Sequence, residues 1–225
     1  MNSFQNLRNV APLHTTHVAF APSLRIAALV WLLIWIPIYW RTWGASNFLQ
    51  LCDIAVILSC VGLLANSRLL LSSQAVVSPL VDLAWIVDAA SQLLFRHRLT
   101  GGTDYLFASQ YPLAIRLLSL FHVVLPILLI WVLYRVGYDP RGFVLQSVVT
   151  AVAFAASRFT TPSKNTNFAF TDPFFGRQWG PPAVHIAVSV LFMILVVYLP
   201  THIVLRKFFQ MGREQTSLSE PNIDS

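Results

Sequence analysis

Charge is scarce in this sequence. Only 11% of its 225 residues are Asp, Glu, Lys or Arg, against roughly 25% in an ordinary soluble domain, and 56% are hydrophobic. A water-soluble fold would struggle to cover that much apolar surface, so a membrane is the expected solvent. Cysteine is nearly absent as well. Cys52 and Cys60 share one apolar stretch, which argues against a disulfide framework or a CxxC metal site. Glutamate is confined to Glu214 and Glu220, and no fixed-period repeat or low-complexity tract is visible. Residues 1–21 carry Arg8, His14 and His17 but no apolar core followed by a small-residue cleavage site. No cleavable signal peptide is therefore expected, and the first span should act as the targeting signal.

The net charge of +6 comes from cations scattered singly through the loops. That pattern suits anionic lipid headgroups better than nucleic acid, which needs basic groups massed on one face.

Long apolar runs are what the sequence does contain. They predict an all-α polytopic transmembrane bundle of about six spans, at 24–40, 48–65, 69–95, 113–138, 142–159 and 182–205. Aromatics Tyr39 and Trp40 near the end of the first run fit an interfacial belt. The third run contains Pro79, which should kink that helix or split it, because proline removes a backbone donor and crowds the preceding turn. The fifth run is the weakest, and the loop at 160–181 is too rich in Pro, Gly and Asn to span. The organisation expected is a polar segment at 1–21, a membrane domain at 22–207 and a disordered tail at 208–225.

Six crossings put both termini on one side. Lys and Arg divide eight to seven between the two sides, so charge barely sets the orientation. The Arg206 and Lys207 pair beside the last span favours cytoplasmic termini in a plasma (inner) membrane.

Ionisable groups inside hydrocarbon are costly unless paired or facing a wet cavity, so their depth is informative. Cys52, Asp53, Asp88, Arg116 and His122 all fall in the leaflet away from the termini, and Asn165 and Asn167 fall in the long loop on that same face. A polar pocket on one side is expected. Asp88 and Arg116 could instead pair as ions between helices 3 and 4, and Asp53 and Asp82 could be packing glue. His122 lies deeper and needs a partner or a task. Beside an imidazole, Cys52 would be a candidate nucleophile, with His122 as its base.

Leu51, Cys52, Asp53, Ile54 and Ala55, opening a membrane helix after a short polar loop, resemble the corresponding helix start of the YwaF-like integral membrane proteins. That family is related to animal transmembrane acyltransferases that remodel phospholipids. His122 with Pro126 four residues on, then Asn165, Thr166, Asn167 and Phe168, follow the same order. The resemblance covers about 47–198 and implies six or seven helices around a lipid-accessible cavity. It casts Cys52 as the acyl-accepting nucleophile and His122 as the base. Gln50 departs from the pattern, standing where a histidine is expected shortly before the cysteine.

Three functions compete on these grounds. One is an intramembrane lipid acyltransferase or hydrolase using Cys52 and His122, with Asn165 or Asn167 as oxyanion donors. The second is a small proton-coupled carrier, and the third is a structural subunit of a membrane complex. Membrane lipids are the expected partners, with a homo-oligomer or other membrane subunits as further options, and neither a metal nor a cofactor is implied.

Overall fold

A computed structural model describes residues 19–219, with side chains described as far as residue 209. The polar segment expected at 1–21 therefore lies largely outside the described residues, as do 220–225.

Six helices make up the described chain. They are α1 (Pro22–Trp43), α2 (Leu51–Leu64), α3 (Arg68–Phe95), α4 (Leu113–Val136), α5 (Arg141–Ser157) and α6, which starts at Pro182. No strand occurs among the described residues. Helix α6 passes through a π-helical stretch, Met193–Tyr198, and its backbone stays helical to Ser219, well past the end expected near 205. The element ends follow local chemistry. Pro22 occupies the first turn of α1, where its missing N–H costs nothing. The Ser67 side chain accepts from Leu70 N and starts α3. Gly44 and Gly137, at φ 82° and 79°, let the chain leave α1 and α4 in a conformation that other residues resist.

Helices α1, α3 and α4 have 22, 28 and 24 residues, and the apolar part of α6 has 28. At about 1.5 Å per residue each exceeds the ~30 Å hydrocarbon core. Their outer faces are apolar, including Leu33 and Ile34 on α1 and Ile127 on α4. The protein is a membrane-integral helical bundle.

Helices α2 and α5 have only 14 and 17 residues, about 21 and 26 Å. Their contacts nevertheless reach both faces of the bundle. The end of α2 meets the start of α1, where Arg25 Nη2 donates to Leu64 O at 3.0 Å and Phe20 N to Asn66 Oδ1 at 2.9 Å. The start of α2 lies at the opposite face, behind a 3-10 turn at Ala45–Leu49 that makes up the missing length. Helix α5 likewise begins beside Ser72 of α3 and ends beside Asn167 of the long loop.

Helix α3 is the axle and packs against α2, α4 and α5. It runs unbroken for 28 residues through Pro79, so the proline does not split it. The hydrogen bond lost at Ala75 O is absorbed within one helix. Much of what it buries is polar, with Ser72, Ser73, Gln74, Ser78, Asp82 and Asp88 inside alongside Leu71, Ala75, Val76 and Val77. At its first turn α3 meets α5 backbone to backbone, and a Cβ on Gly142 would fall 2.8 Å from Ser72 C and Ser73 N. Small residues permit such close approach between membrane helices. Gly142→Ala is expected to cost about 1–3 kcal/mol, because backbone cannot move aside as a side chain can. Thermal melts in detergent should show a fall of roughly 3–9 °C, and an unchanged midpoint would refute the close packing. Beside this contact the side chain of Asp139, just before α5, is held by Arg141 Nε and Nη2 at 3.1 and 2.8 Å, which keeps the carboxyl below its usual range.

Candidate intramembrane site

Four helices and one loop bring polar side chains together in the leaflet away from the termini. The first turn of α2 contributes Cys52 and Asp53. Asp53 is 2% exposed and accepts a hydrogen bond from Asn47 Nδ2 in the preceding 3-10 turn. Helix α3 contributes Asp82, which is fully buried. Its Oδ2 accepts from Ser78 Oγ and its Oδ1 has no partner. Neither carboxyl meets a Lys, Arg or His side chain among the described residues. Cys52 Sγ has Asp53 Oδ1 at 4.0 Å.

His122 stands on α4 between two aromatic rings. Its imidazole stacks on Trp85 of α3 at 4.2 Å with 4° between the planes, and on Phe121 at 4.1 Å. Nδ1 lies 2.7 Å from Ser119 O. A carbonyl only accepts, so Nδ1 carries the hydrogen and the neutral ring has its lone pair on Nε2. No described residue hydrogen-bonds to that Nε2. Ser119 Oγ is 2.9 Å from the Tyr39 hydroxyl of α1, so α1 is tied into the cluster as well.

Tyr105, in the loop between α3 and α4, closes the cluster on its outer side. Trp85 Nε1 donates to the Tyr105 hydroxyl at 3.1 Å, and burial raises the phenol above its ordinary range, so it stays a proton donor. The same tyrosine lines a cavity of about 400 Å3 that opens on this face beside Gln92, Gln110 and the Arg98–Asp104 ion pair. The cavity is thus linked to the His122 cluster through Tyr105 and its bond to Trp85. Neither Tyr105 nor Trp85 stood out in the sequence, because nothing local marks which loop aromatic will fold back onto which helix.

The start of α2 and the long loop after α5 meet in space across more than a hundred residues. Asn167 Oδ1 accepts from Leu51 N at 3.0 Å and so satisfies a free amide at the start of α2. Its Nδ2 donates to Leu49 O at 2.6 Å and to Ser157 Oγ at 3.0 Å. Gln50 Oε1 accepts from Asn167 N at 3.2 Å, so the residue that departs from the pattern is part of the lock. Asn165, Asn167 and Phe168 all have positive φ, at 42°, 53° and 55°. Left-handed backbone is tolerated by Asn and unusual for Phe, and it marks a loop held by its surroundings. His185 supplies part of that hold, with Nε2 3.0 Å from Phe168 O.

Three expectations are redirected by these contacts. Asp88 and Arg116 form no ion pair. The Asp88 carboxylate instead accepts from Leu99 N, Thr100 N, Thr103 N and Thr103 Oγ1, between 2.7 and 3.1 Å. Arg116 donates Nη1 to Leu106 O at 2.7 Å, and both residues fasten the loop that carries Tyr105. Asn165 is spent on its own loop, bonding Phe170 N, Thr171 N and Thr171 O. The Asn165 and Asn167 amides are therefore not free to act as oxyanion donors. Finally, no hydrogen bond joins Cys52 to His122, and of the two only His122 stacks on the Trp85 ring that bonds Tyr105.

No protein-family model, curated protein or solved structure matches the chain.

Proposed function

We propose that the protein is an intramembrane lipid acyltransferase or hydrolase, with His122 as the base and Cys52 as the nucleophile. The observation that carries this reading is the buried His122 ring, whose Nδ1 is committed to Ser119 O while no described residue hydrogen-bonds to Nε2. Such an arrangement leaves one nitrogen able to take a proton, the requirement for general-base work. Nε2 would accept the Cys52 thiol proton as sulfur attacks a phospholipid ester carbonyl. The carbonyl oxygen would take a hydrogen bond from the Tyr105 hydroxyl. The ester C–O bond would then break, and the lysolipid oxygen would leave with the proton from His122. A second alcohol, or water, would cleave the thioester by the reverse proton path. Substrate must draw Cys52 and His122 together, as catalytic contacts often tighten only in the complex.

A second reading, proton-coupled transport, is favoured by one observation, the two buried carboxyls Asp53 and Asp82 without a cation. Carboxyls in that position carry protons in membrane carriers. One set of proteoliposomes separates the readings. Phospholipid with a labelled acyl chain and an acceptor alcohol is followed by mass spectrometry, and proton flux by an internal pH dye. His122→Gln is expected to lower acyl turnover about 100- to 10,000-fold, and Cys52→Ala to abolish it. Full turnover by Cys52→Ala would end the acyl-transfer reading. Proton flux lost in Asp82→Asn but intact in Cys52→Ala would establish the carrier instead.

A further inference from the structure

The second large cavity lies at the opposite face of the bundle. It measures about 520 Å3 and sits between the start of α1 and the end of α4. Its lining is mostly apolar, from Phe20, Leu24, Trp131, Val132 and Val136. The one charged side chain in it is Arg135, whose guanidinium lies over the Trp131 ring at 5.2 Å from the centroid. An arginine near a helix end ordinarily extends into the headgroup layer. Here the Trp131 ring keeps it at the cavity.

Among the described residues Arg135 has no carboxylate partner, the ion pairs there being Arg98–Asp104 and Arg141–Asp139. The first turn of α1, which supplies Ser23 and Leu24 to the wall, contains no acidic residue and has no side-chain cap. The positive end of that helix dipole therefore adds to the charge of Arg135. The cavity lies at the membrane boundary, where α4 turns at Gly137 and α1 begins. The two helices that form it carry exposed apolar side chains, including Ile127 on α4 and Ile26 on α1.

An apolar trough with a cation at its rim, open to the bilayer at headgroup depth, matches one class of ligand. We infer that this cavity binds an anionic glycerophospholipid of the leaflet on the side of the termini, with its phosphate on Arg135 and an acyl chain along Leu24 and Trp131. This site is separate from the His122 cluster, which lies in the other leaflet, and it does not depend on the acyl-transfer reading.

The test uses the full-length protein in nonionic detergent, titrated with phosphatidylglycerol, phosphatidylcholine or glycerol phosphate. Dibrominated acyl chains report contact with Trp131, read as the quenching lost in Trp131→Phe. Phosphatidylglycerol is expected to quench Trp131 at a midpoint about fivefold lower than phosphatidylcholine, the factor for one cation at an anionic surface. Arg135→Gln should remove that difference, and Arg135→Lys should keep most of it. Glycerol phosphate, which has no chains, should not compete. Equal midpoints for the two lipids in the wild-type protein would overturn the inference, whether or not Arg135→Gln folds. Effective competition by glycerol phosphate would reduce the site to a free-anion site, and absence of Trp131 quenching would show that no lipid chain enters.

Discussion

Replacing Asp88 by alanine is expected to lower the melting temperature of the detergent-solubilised protein by about 10 °C. The carboxylate is 2% exposed and takes four hydrogen bonds from the loop after α3. Alanine would leave the amides of Leu99, Thr100 and Thr103 without their acceptor. Hydrogen bonds to a charged group contribute about 1.5–3 kcal/mol each and are not additive, so a total of about 3–5 kcal/mol is reasonable. For a chain of this size each kcal/mol moves the midpoint by roughly 2–4 °C. Asp88→Asn should recover little, because its NH2 would point at backbone donors that need an acceptor. Hydrogen exchange supplies the local check, with faster exchange expected at Leu99, Thr100 and Thr103 and little change in α5. A midpoint within 2 °C of wild type would mean that water replaces the carboxylate, and that the loop is not fastened by this residue.

Asn167→Ala should have an effect nearly as large and in a different place. The substitution removes the acceptor for Leu51 N and the donors to Leu49 O and Ser157 Oγ. It also puts alanine at φ 53°, which adds about 1 kcal/mol of backbone strain. A loss of about 3 kcal/mol follows, together with a loosened first turn of α2. Cys52 sits in that turn, so its alkylation by a membrane-permeant maleimide should speed up several-fold. Asn167→Gly separates the two causes, since glycine accepts the backbone angle but lacks the amide. If glycine restored wild-type stability, the strain alone would be responsible and the amide contacts would carry no weight.

Depth along each helix was legible from the residues alone, and it placed Cys52, Asp53, Asp88, Arg116 and His122 in one leaflet. Partnership was not legible. Asp88 and Arg116 have opposite charges on neighbouring helices, which invites an ion pair, yet each is nearer in space to backbone that the α3–α4 loop folds back over it. Unpaired amides in that loop are plentiful and a single arginine is not, so the carboxylate is used where more donors need it. The two asparagines followed the same logic. Read as free donors, they are consumed by backbone groups that a non-helical segment leaves unsatisfied. The candidates left after this sorting are His122, Cys52 and the two cation-free carboxyls, together with the unforeseen Tyr105.

The membrane setting and the number of helices were decided by the sequence itself, because an apolar run of sufficient length is a local property. The helix ends at Gly44, Gly137 and Pro22 are equally local, each set by what one residue permits in its own backbone. Even the six-helix count held through the short α2 and α5. Only the tertiary structure decided which polar side chains are free to act. A hydrogen bond between Asn167 and Leu51 spans 116 positions and one between Lys164 and Trp43 spans 121, and no local pattern encodes such a pairing. In a low-dielectric interior each buried donor and acceptor seeks a partner, and which atoms stay unpaired after folding, Asp82 Oδ1, Gln74 Oε1 and Trp35 Nε1 among them, is known only once the other partners have been assigned.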